Sequence, residues 1–313
     1  MKKSSKFKVQ SSKFKVQNSK FNFIVFLVLI CFMIIFSSCS QKPEKISKSI
    51  VVYTSLYPLA EFTKWIIPEA YVESLMPQGV DPHHFEPSLK DIQKMYKADM
   101  IIYLGDTDID RWIDKIKDEL NQKKVKVVRL QDSIQFKKYS SGNEIDPHIW
   151  LDPVLVAEII KLIKNAATEI APEKKELYEK NFFIYESKLK ELDNSYKHGL
   201  SNCTLKDVII THEFLNYLTV RYGFNSHFIV HEPEQEPSMK KIKQLKDFMK
   251  QNSIDYIVSE PEGERIAKAL SEETGVKILK FNTFHTPGTQ NRVDYFQAMN
   301  ENLKVLKTAL KCQ

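Results

Sequence analysis

The chain has four cysteines in 313 residues and no Cys-x-x-Cys pair, which excludes a metal cage built from paired thiolates. It has no His-Glu-x-x-His or similar motif carrying a general base, so the commonest helical signature of a metal hydrolase is missing. No apolar run reaches the ~20 residues that a spanning helix needs. The longest run, Phe23 to Phe36, has 14 residues. Basic charge is also absent where a polyanion would need it. Residues 1 to 39 hold seven lysines and no acid; taking these from the 46 lysines and arginines leaves 39 against 40 acids, a net charge near −1. The overall charge of +6 therefore belongs to the leader, and a nucleic-acid partner is not expected.

The leader itself is informative. A lysine-rich start, a 14-residue apolar run and then Ser37-Ser38-Cys39 have the layout of a signal peptide ending in a bacterial lipobox. Phe36 is bulkier than the residue usual three positions before the cysteine. Cys39 is expected to become the lipidated first residue of the mature chain; the alternative is an uncleaved anchor helix. In both cases the remainder sits outside the cytoplasm, beside a membrane. Two copies of Ser-Ser-Lys-Phe-Lys-Val-Gln, at 4 to 10 and 11 to 17, reflect a local duplication or a misplaced start and carry no fold information. Of the other two cysteines, Cys203 and Cys312, an exported chain permits a disulfide or two inert thiols.

A chain of this length, 42% hydrophobic, can bury one large core or two medium ones, and two is the default above ~250 residues. After a polar linker over 40 to 48, β-branched runs alternate with amphipathic stretches. Strands are expected at 50–54, 71–76, 100–104 and 125–130, with a helix over 89–97 opened by a Ser88/Asp91 capping box. The pattern returns with strands at 208–210, 227–230, 256–259 and 277–281, and helices at 213–222, 239–251, 264–274 and 293–311. Such alternation predicts parallel sheets covered by helices. Between the two sets, Pro172 to His198 contains no glycine or internal proline, and Leu177, Phe182, Tyr185, Leu189 and Leu192 recur at helical spacing up to a stop at Gly199. The expected fold is α/β: a first lobe over 49–171, one long rigid helix over 172–199 and a second lobe over 200–313, with ligand in the cleft between the lobes.

Histidine is scarce, with eight in the chain, and its placement is uneven. Asp81-Pro82-His83-His84 lies between a strand and a helix, at the carboxyl edge where parallel α/β sheets bind ligands. His148, in Asp146-Pro147-His148-Ile149-Trp150-Leu151-Asp152-Pro153, precedes a helix with Asp152 as N-cap and Pro153 at the first position. His212 follows the strand Val208-Ile209-Ile210 directly. A helix N-terminus disfavours positive charge, which suits imidazoles that must be neutral to bind metal. Taken singly, each of these is more often a polar loop residue or a cap; together they form a zinc-type set of three histidines. His83 and His84 are adjacent in an extended loop and point apart, so one ion does not take both. Glu86, Glu213, Glu232, Glu234, Glu260 and Glu262 are candidates to hold a ligand's second nitrogen. His198, His227 and His231 are read as structural or surface residues.

These motifs, with Glu86-Pro87, Thr211-His212, Tyr217, Tyr222-Gly223, Glu236-Pro237-Ser238, Ser259-Glu260-Pro261, Tyr295, Met299 and Asn302, occur in order from about residue 50 to 305. The chain thereby resembles the zinc/manganese-type substrate-binding proteins of bacterial ABC transporters. The resemblance implies that His83, not His84, is the first ligand, with His148 second and His212 third. Histidine at the third position goes with zinc rather than manganese, in line with the preference of a nitrogen-rich site for Zn²⁺. The family's fourth ligand, an aspartate, is replaced here by Asn282, so the fourth donor is left to Asn282, His285 or water. The histidine-rich loop common in zinc members is missing, since 106 to 146 contains no histidine. What the resemblance implies is capture of a divalent metal, Zn²⁺ before Mn²⁺, by a monomer held to the membrane by its lipid, and delivery to an ABC permease, with no enzymatic step. Two other readings remain: a zinc hydrolase using the same three histidines with an open position, and a surface adhesin. Because three imidazoles must stay neutral to bind, zinc affinity should fall as pH drops through ~6.5. Zinc titrations from pH 5 to 8 check this, and a flat affinity would contradict an all-histidine site.

Overall fold

The alternation of β-branched runs and amphipathic stretches produces two four-stranded sheets in which every neighbouring pair is parallel. The computed structural model describes residues 49–313 apart from 78–79, 81–84, 141, 232–234 and 286–292. The first sheet contains β1 (Val51–Thr54), β2 (Tyr71–Ser74), β3 (Met100–Tyr103) and β4 (Lys126–Arg129) in the order β2-β1-β3-β4. The second contains β5 (Asp207–Ile210), β6 (Asn225–Phe228), β7 (Tyr256–Ser259) and β8 (Lys277–Lys280) in the order β6-β5-β7-β8. The same arrangement thus occurs twice, and in each sheet the strand order switches beside the first strand. Such a switch point is where α/β sheets bind ligands, outside the carboxyl ends of the strands.

Nine α-helices connect and cover the sheets among the described residues: α1 (Tyr57–Ile66), α2 (Leu89–Met95), α3 (Lys117–Gln122), α4 (Pro153–Ile170), α5 (Lys175–Gly199), α6 (Asn216–Tyr222), α7 (Met239–Gln251), α8 (Glu264–Thr274) and α9 (Tyr295–Ala309). The expected Ser88/Asp91 capping box opens α2, and Asp152 caps α4 through Val154 N with Pro153 in the first turn. Both devices satisfy amide donors that a helix start otherwise leaves unpaired.

Some boundaries differ from the sequence pattern, for local reasons. Strand β6 begins at Asn225, not His227, because its ladder starts with the polar pair Asp207 and Asn225. The apolar residues Ile229 and Val230, which drew the expectation forward, bury themselves just past the strand. Helix α6 starts at Asn216, not Glu213, because His212 and Phe214 close a turn on themselves, with Phe214 N donating to His212 O at 3.0 Å. Helix α9 starts later and ends earlier than 293–311: Asp294 caps it, and Cys312 is drawn to Cys203.

The connector is a 3-10 turn, Pro172–Lys174, followed by the 25-residue helix α5, about 38 Å long at 1.5 Å per residue. Tyr178 is buried where Leu177 was expected, and Leu177 is 41% exposed. Gly199 is the last residue of the helix, where a stop was expected. It lies inside the last turn, where a Cβ would meet Leu303 Cδ1 of α9 at 3.2 Å, so the missing side chain lets two helices approach. Helix α5 is fixed at both ends of its length. Tyr178 OH donates to Glu69 Oε1 (3.0 Å) and Tyr185 stacks on Trp65 of α1 at 4.6 Å, while Tyr196 OH donates to Met299 O of α9 (2.7 Å).

One hydrophobic cluster runs through both lobes, from Val52, Phe62 and Ile102 through Ile159, Tyr178 and Tyr196 to Val208, Phe214 and Leu306. Two smaller clusters line the outer faces of the sheets. With a shared core and a rigid connector, the described residues are built to hold the lobes in one relation. No helix among the described residues is long and apolar enough to cross a membrane, and the leader with Cys39 lies outside them.

Cys203 and Cys312 form a disulfide that ties the approach to β5 to the end of the chain, closing a loop across a sequence separation of 109. Its removal, by Cys203→Ser with Cys312→Ser, should destabilise the fold by about 2–4 kcal/mol. Urea denaturation of the oxidised protein and the double variant measures this; equal midpoints would show that the bridge adds nothing.

Candidate metal centre

His148 is set by its own local sequence. Asp146, fully buried, folds back so that its Oδ1 accepts from His148 N (2.9 Å) and lies 2.8 Å from His148 Nδ1. Pro147 between them restricts the backbone, and the 3-10 turn Ile149–Leu151 then leads into α4. A carboxylate accepts, so Nδ1 carries the proton and the Nε2 lone pair faces the other way.

His212 reaches the same condition by a long-range route. It follows β5, is 2% exposed, and places Nδ1 2.8 Å from Oε1 of Glu260, which follows β7. Glu260 is 1% exposed and its other oxygen accepts from Thr211 Oγ1. Burial pushes the Glu260 carboxyl up, but the His212 ring beside it and the Thr211 hydroxyl outweigh this and hold it below the ordinary range. The parallel pairing of β5 with β7 is what sets the two residues side by side. Gly263 completes the packing: a Cβ there would lie 2.5 Å from both Glu260 Oε1 and Thr211 Oγ1.

The two imidazoles meet across the lobes, with ring centroids 5.4 Å apart at an interplanar angle of 53°. His212 Nε2 is buried and has no hydrogen-bond partner among the described residues. Leaving such a group unpaired costs about 1–3 kcal/mol, which is unusual without a functional reason. Two imidazoles bound through one nitrogen each to a tetrahedral ion at ~2.0–2.1 Å would have ring centres roughly 5 Å apart. The observed spacing fits that arrangement.

The other candidates are placed differently. His285, 8% exposed, has Nδ1 2.7 Å from Thr283 Oγ1 and Nε2 3.1 Å from Glu262 Oε1. Burial raises the Glu262 carboxyl, but His285, and more weakly His212, outweigh this and lower it, so Glu262 stands between the two histidines electrostatically. Asn282 is occupied by the turn it builds: its Oδ1 accepts from Phe284 N (2.8 Å), and its backbone exchanges two hydrogen bonds with the Asn302 side chain. His83, His84, Glu232 and Glu234 lie outside the described residues. Among the described residues no group of three or more His, Cys, Asp or Glu converges as a metal cage. Glu86 is exposed, while Glu213 is buried and accepts from Ser140 N (2.7 Å). His198 is exposed, His227 pairs with Asp207 at 2.8 Å, and His231 lies 3.7 Å from Glu213 Oε2.

The sequence offered six glutamates of which one or two would partner the ligands, and Asp146 was not among them. The signal was present, since Asp-Pro-His occurs at both 81–83 and 146–148. Thr211 stood in the quoted motif Thr211-His212 without a role, and Gly263 had no marker; only the pairing of β5 with β7 brings them to Glu260.

Residues 52–309 match the family described as zinc-uptake complex component A, periplasmic. The chain belongs to that family. The zinc-binding lipoprotein AdcA of Streptococcus pneumoniae is 32% identical over 289 residues, covering 86% of this chain and 57% of AdcA. The chain thus spans little more than half the length of that relative. The high-affinity zinc uptake system protein ZnuA of Bacillus subtilis is 29% identical over 310 residues, covering 91% of this chain and 97% of that protein. Among solved structures, the Zn(II)-bound ZnuA-like domain of S. pneumoniae AdcA superposes with a TM-score of 0.75 at 34% identity, covering 84% of this chain and 99% of that domain. Two parallel-sheet α/β lobes are therefore the fold of the zinc-uptake family as well as of this chain.

Gly263→Ala should force Glu260 and Thr211 apart and lower stability by about 1–3 kcal/mol, the range for overpacking a filled site. Thermal unfolding measures it, and an unchanged Tm would show that the pair has room to adjust.

Proposed function

We propose that the chain captures Zn²⁺ outside the cytoplasm and delivers it to the permease of an ABC transporter, with the ion as cargo and no bond made or broken. The observation that carries this reading is the pair His148 and His212, each held at Nδ1 by a buried carboxylate, with rings 5.4 Å apart. Carboxylate, imidazole and metal in series is a recurrent arrangement at zinc sites: the carboxylate fixes the tautomer, orients the ring and raises its basicity. Nitrogen donors favour zinc over manganese, the softness argument that His212 first suggested. The family is a zinc-uptake one and its relatives AdcA and ZnuA are named for zinc, which supports the same ion.

His83, which falls between β2 and α2 in sequence, is proposed as the third donor. For the fourth, His285 stands ahead of Asn282. His285 has only to exchange Glu262 for the ion, whereas Asn282 would have to surrender the turn that holds Phe284. The hydrolase reading loses ground here, because Asp146, Glu260 and Glu262 are each engaged with a histidine and none is placed as a general base. Lipidation at Cys39 would keep the protein beside its permease, with residues 40–48 as tether. Given the shared core, release is expected to proceed by local movement of the ligand loops, not by wide opening of the lobes.

The test is zinc calorimetry on residues 40–313 and its variants. The parent should bind one ion; His148→Ala and His212→Ala should each weaken binding by 100-fold or more, roughly 3 kcal/mol. His83→Ala should do the same, His285→Ala should cost less, and His84→Ala should leave stoichiometry unchanged. Unaltered zinc binding in both His148→Ala and His212→Ala would reject the site.

A further inference from the structure

We infer that Tyr217 is a positioning residue for this site, holding the support of His148 from the opposite lobe; this rests on the zinc reading above. Between β4 and α4 the first lobe sends out two short arms, 137–140 and 144–146, paired by the bridge of Lys138 with Ile145. Asp146 N donates to Lys137 O (2.9 Å) and Tyr139 N to Glu144 O (3.0 Å), so the arms move as one piece. The second lobe grips that piece through three side chains that directly follow His212 in sequence. Glu213 Oε1 accepts from Ser140 N (2.7 Å), Asn216 Nδ2 donates to Lys138 O (2.9 Å), and Tyr217 takes the remaining two groups. Its hydroxyl accepts from Lys137 N (3.0 Å) and donates to Asp146 O (2.8 Å), so both hydrogen-bonding roles of the phenol are spent on the two arms.

Tyr217 is 1% exposed, on a short helix whose start is fixed by the turn at His212. Its contact with Asp146 therefore links the two imidazoles mechanically. One end of the link is the carboxylate that orients His148, and the other is the six-residue segment from His212 to Tyr217. A buried peptide carbonyl deprived of its donor will shift to find another, and here that shift would rotate the Asp146 carboxylate and the His148 ring with it. In this chain the arms act as a strap that keeps the two halves of the site in register.

The test is a double-mutant cycle read by zinc affinity in a chelator competition, using Tyr217→Phe, Asp146→Asn and the double variant. Phenylalanine keeps the packing and removes only the hydroxyl. Tyr217→Phe should weaken zinc binding on the order of ten-fold, as is usual when the support of a metal-bound histidine is cut. In the Asp146→Asn background the same change should cost less than about two-fold, because Tyr217 acts through that carboxylate. An equal loss in both backgrounds, or none in either, overturns the inference. Asn216→Ala gives an independent reading: it loosens the arms without touching Asp146 O, and should weaken zinc by about two- to five-fold, the equivalent of one hydrogen bond. No change there also counts against the strap. If the unmutated protein fails to bind zinc, the functional reading falls and this inference falls with it, whereas zinc binding insensitive to Tyr217 removes the inference alone.

Discussion

The structure depends on one repeated interaction, a buried carboxylate clamping the Nδ1 of an imidazole. Asp146 does this for His148 within three residues of chain, and Glu260 does it for His212 across two strands. Both carboxylates are almost wholly removed from water, an environment that is costly for a charge unless specific donors compensate it. The donors are the imidazole N–H groups, a backbone N–H and the Thr211 hydroxyl. The same bonds that stabilise the carboxylates fix the tautomer, so the Nε2 lone pairs are directed before any ion arrives. A site prepared in this way loses little entropy on binding, which is the physical basis of high affinity from few ligands.

The rest of the fold maintains that relation. Each sheet offers its carboxyl edge, and the parallel register of β5 and β7 puts Glu260 beside His212. Trp150 Nε1 donates to Thr283 O (2.7 Å) and Tyr295 OH to Trp150 O (2.8 Å), so the turn after His148 is tied to residues of the second lobe. Arg221 reaches Asp152, the cap of α4, at 2.6 Å and adds a charged link on the same seam. Helix α5 and the continuous core behind the cleft resist relative motion of the lobes.

Much of this was legible from residue patterns. The β-branched runs located all eight strands, and the amphipathic stretches between them indicated helices, including the long connector. Boundaries failed where a polar residue opened a ladder, as at Asn225, or where a turn delayed a helix, as before Asn216. Gly199 ends α5 where expected, but its second role, the close approach of Leu303, has no signal in the sequence. In the proposed site, His148 and His212 drew attention by their positions at strand-to-helix junctions, and Glu260 was one of six candidate glutamates. Asp146 escaped notice although it sits two residues from His148, and Tyr217 showed no physical role until its hydroxyl was seen between Lys137 and Asp146. Partnerships across lobes depend on how the lobes pack, which no periodicity encodes.

The central claim is that prepared Nε2 atoms of His148 and His212 share one zinc ion. A crystal structure of the protein grown with zinc, with anomalous data on both sides of the zinc edge, tests it most directly. A single strong anomalous peak is expected ~2.0–2.1 Å from both Nε2 atoms, with the Asp146 and Glu260 contacts to Nδ1 retained. A peak bound elsewhere, or one reached only by breaking those carboxylate contacts, would contradict it.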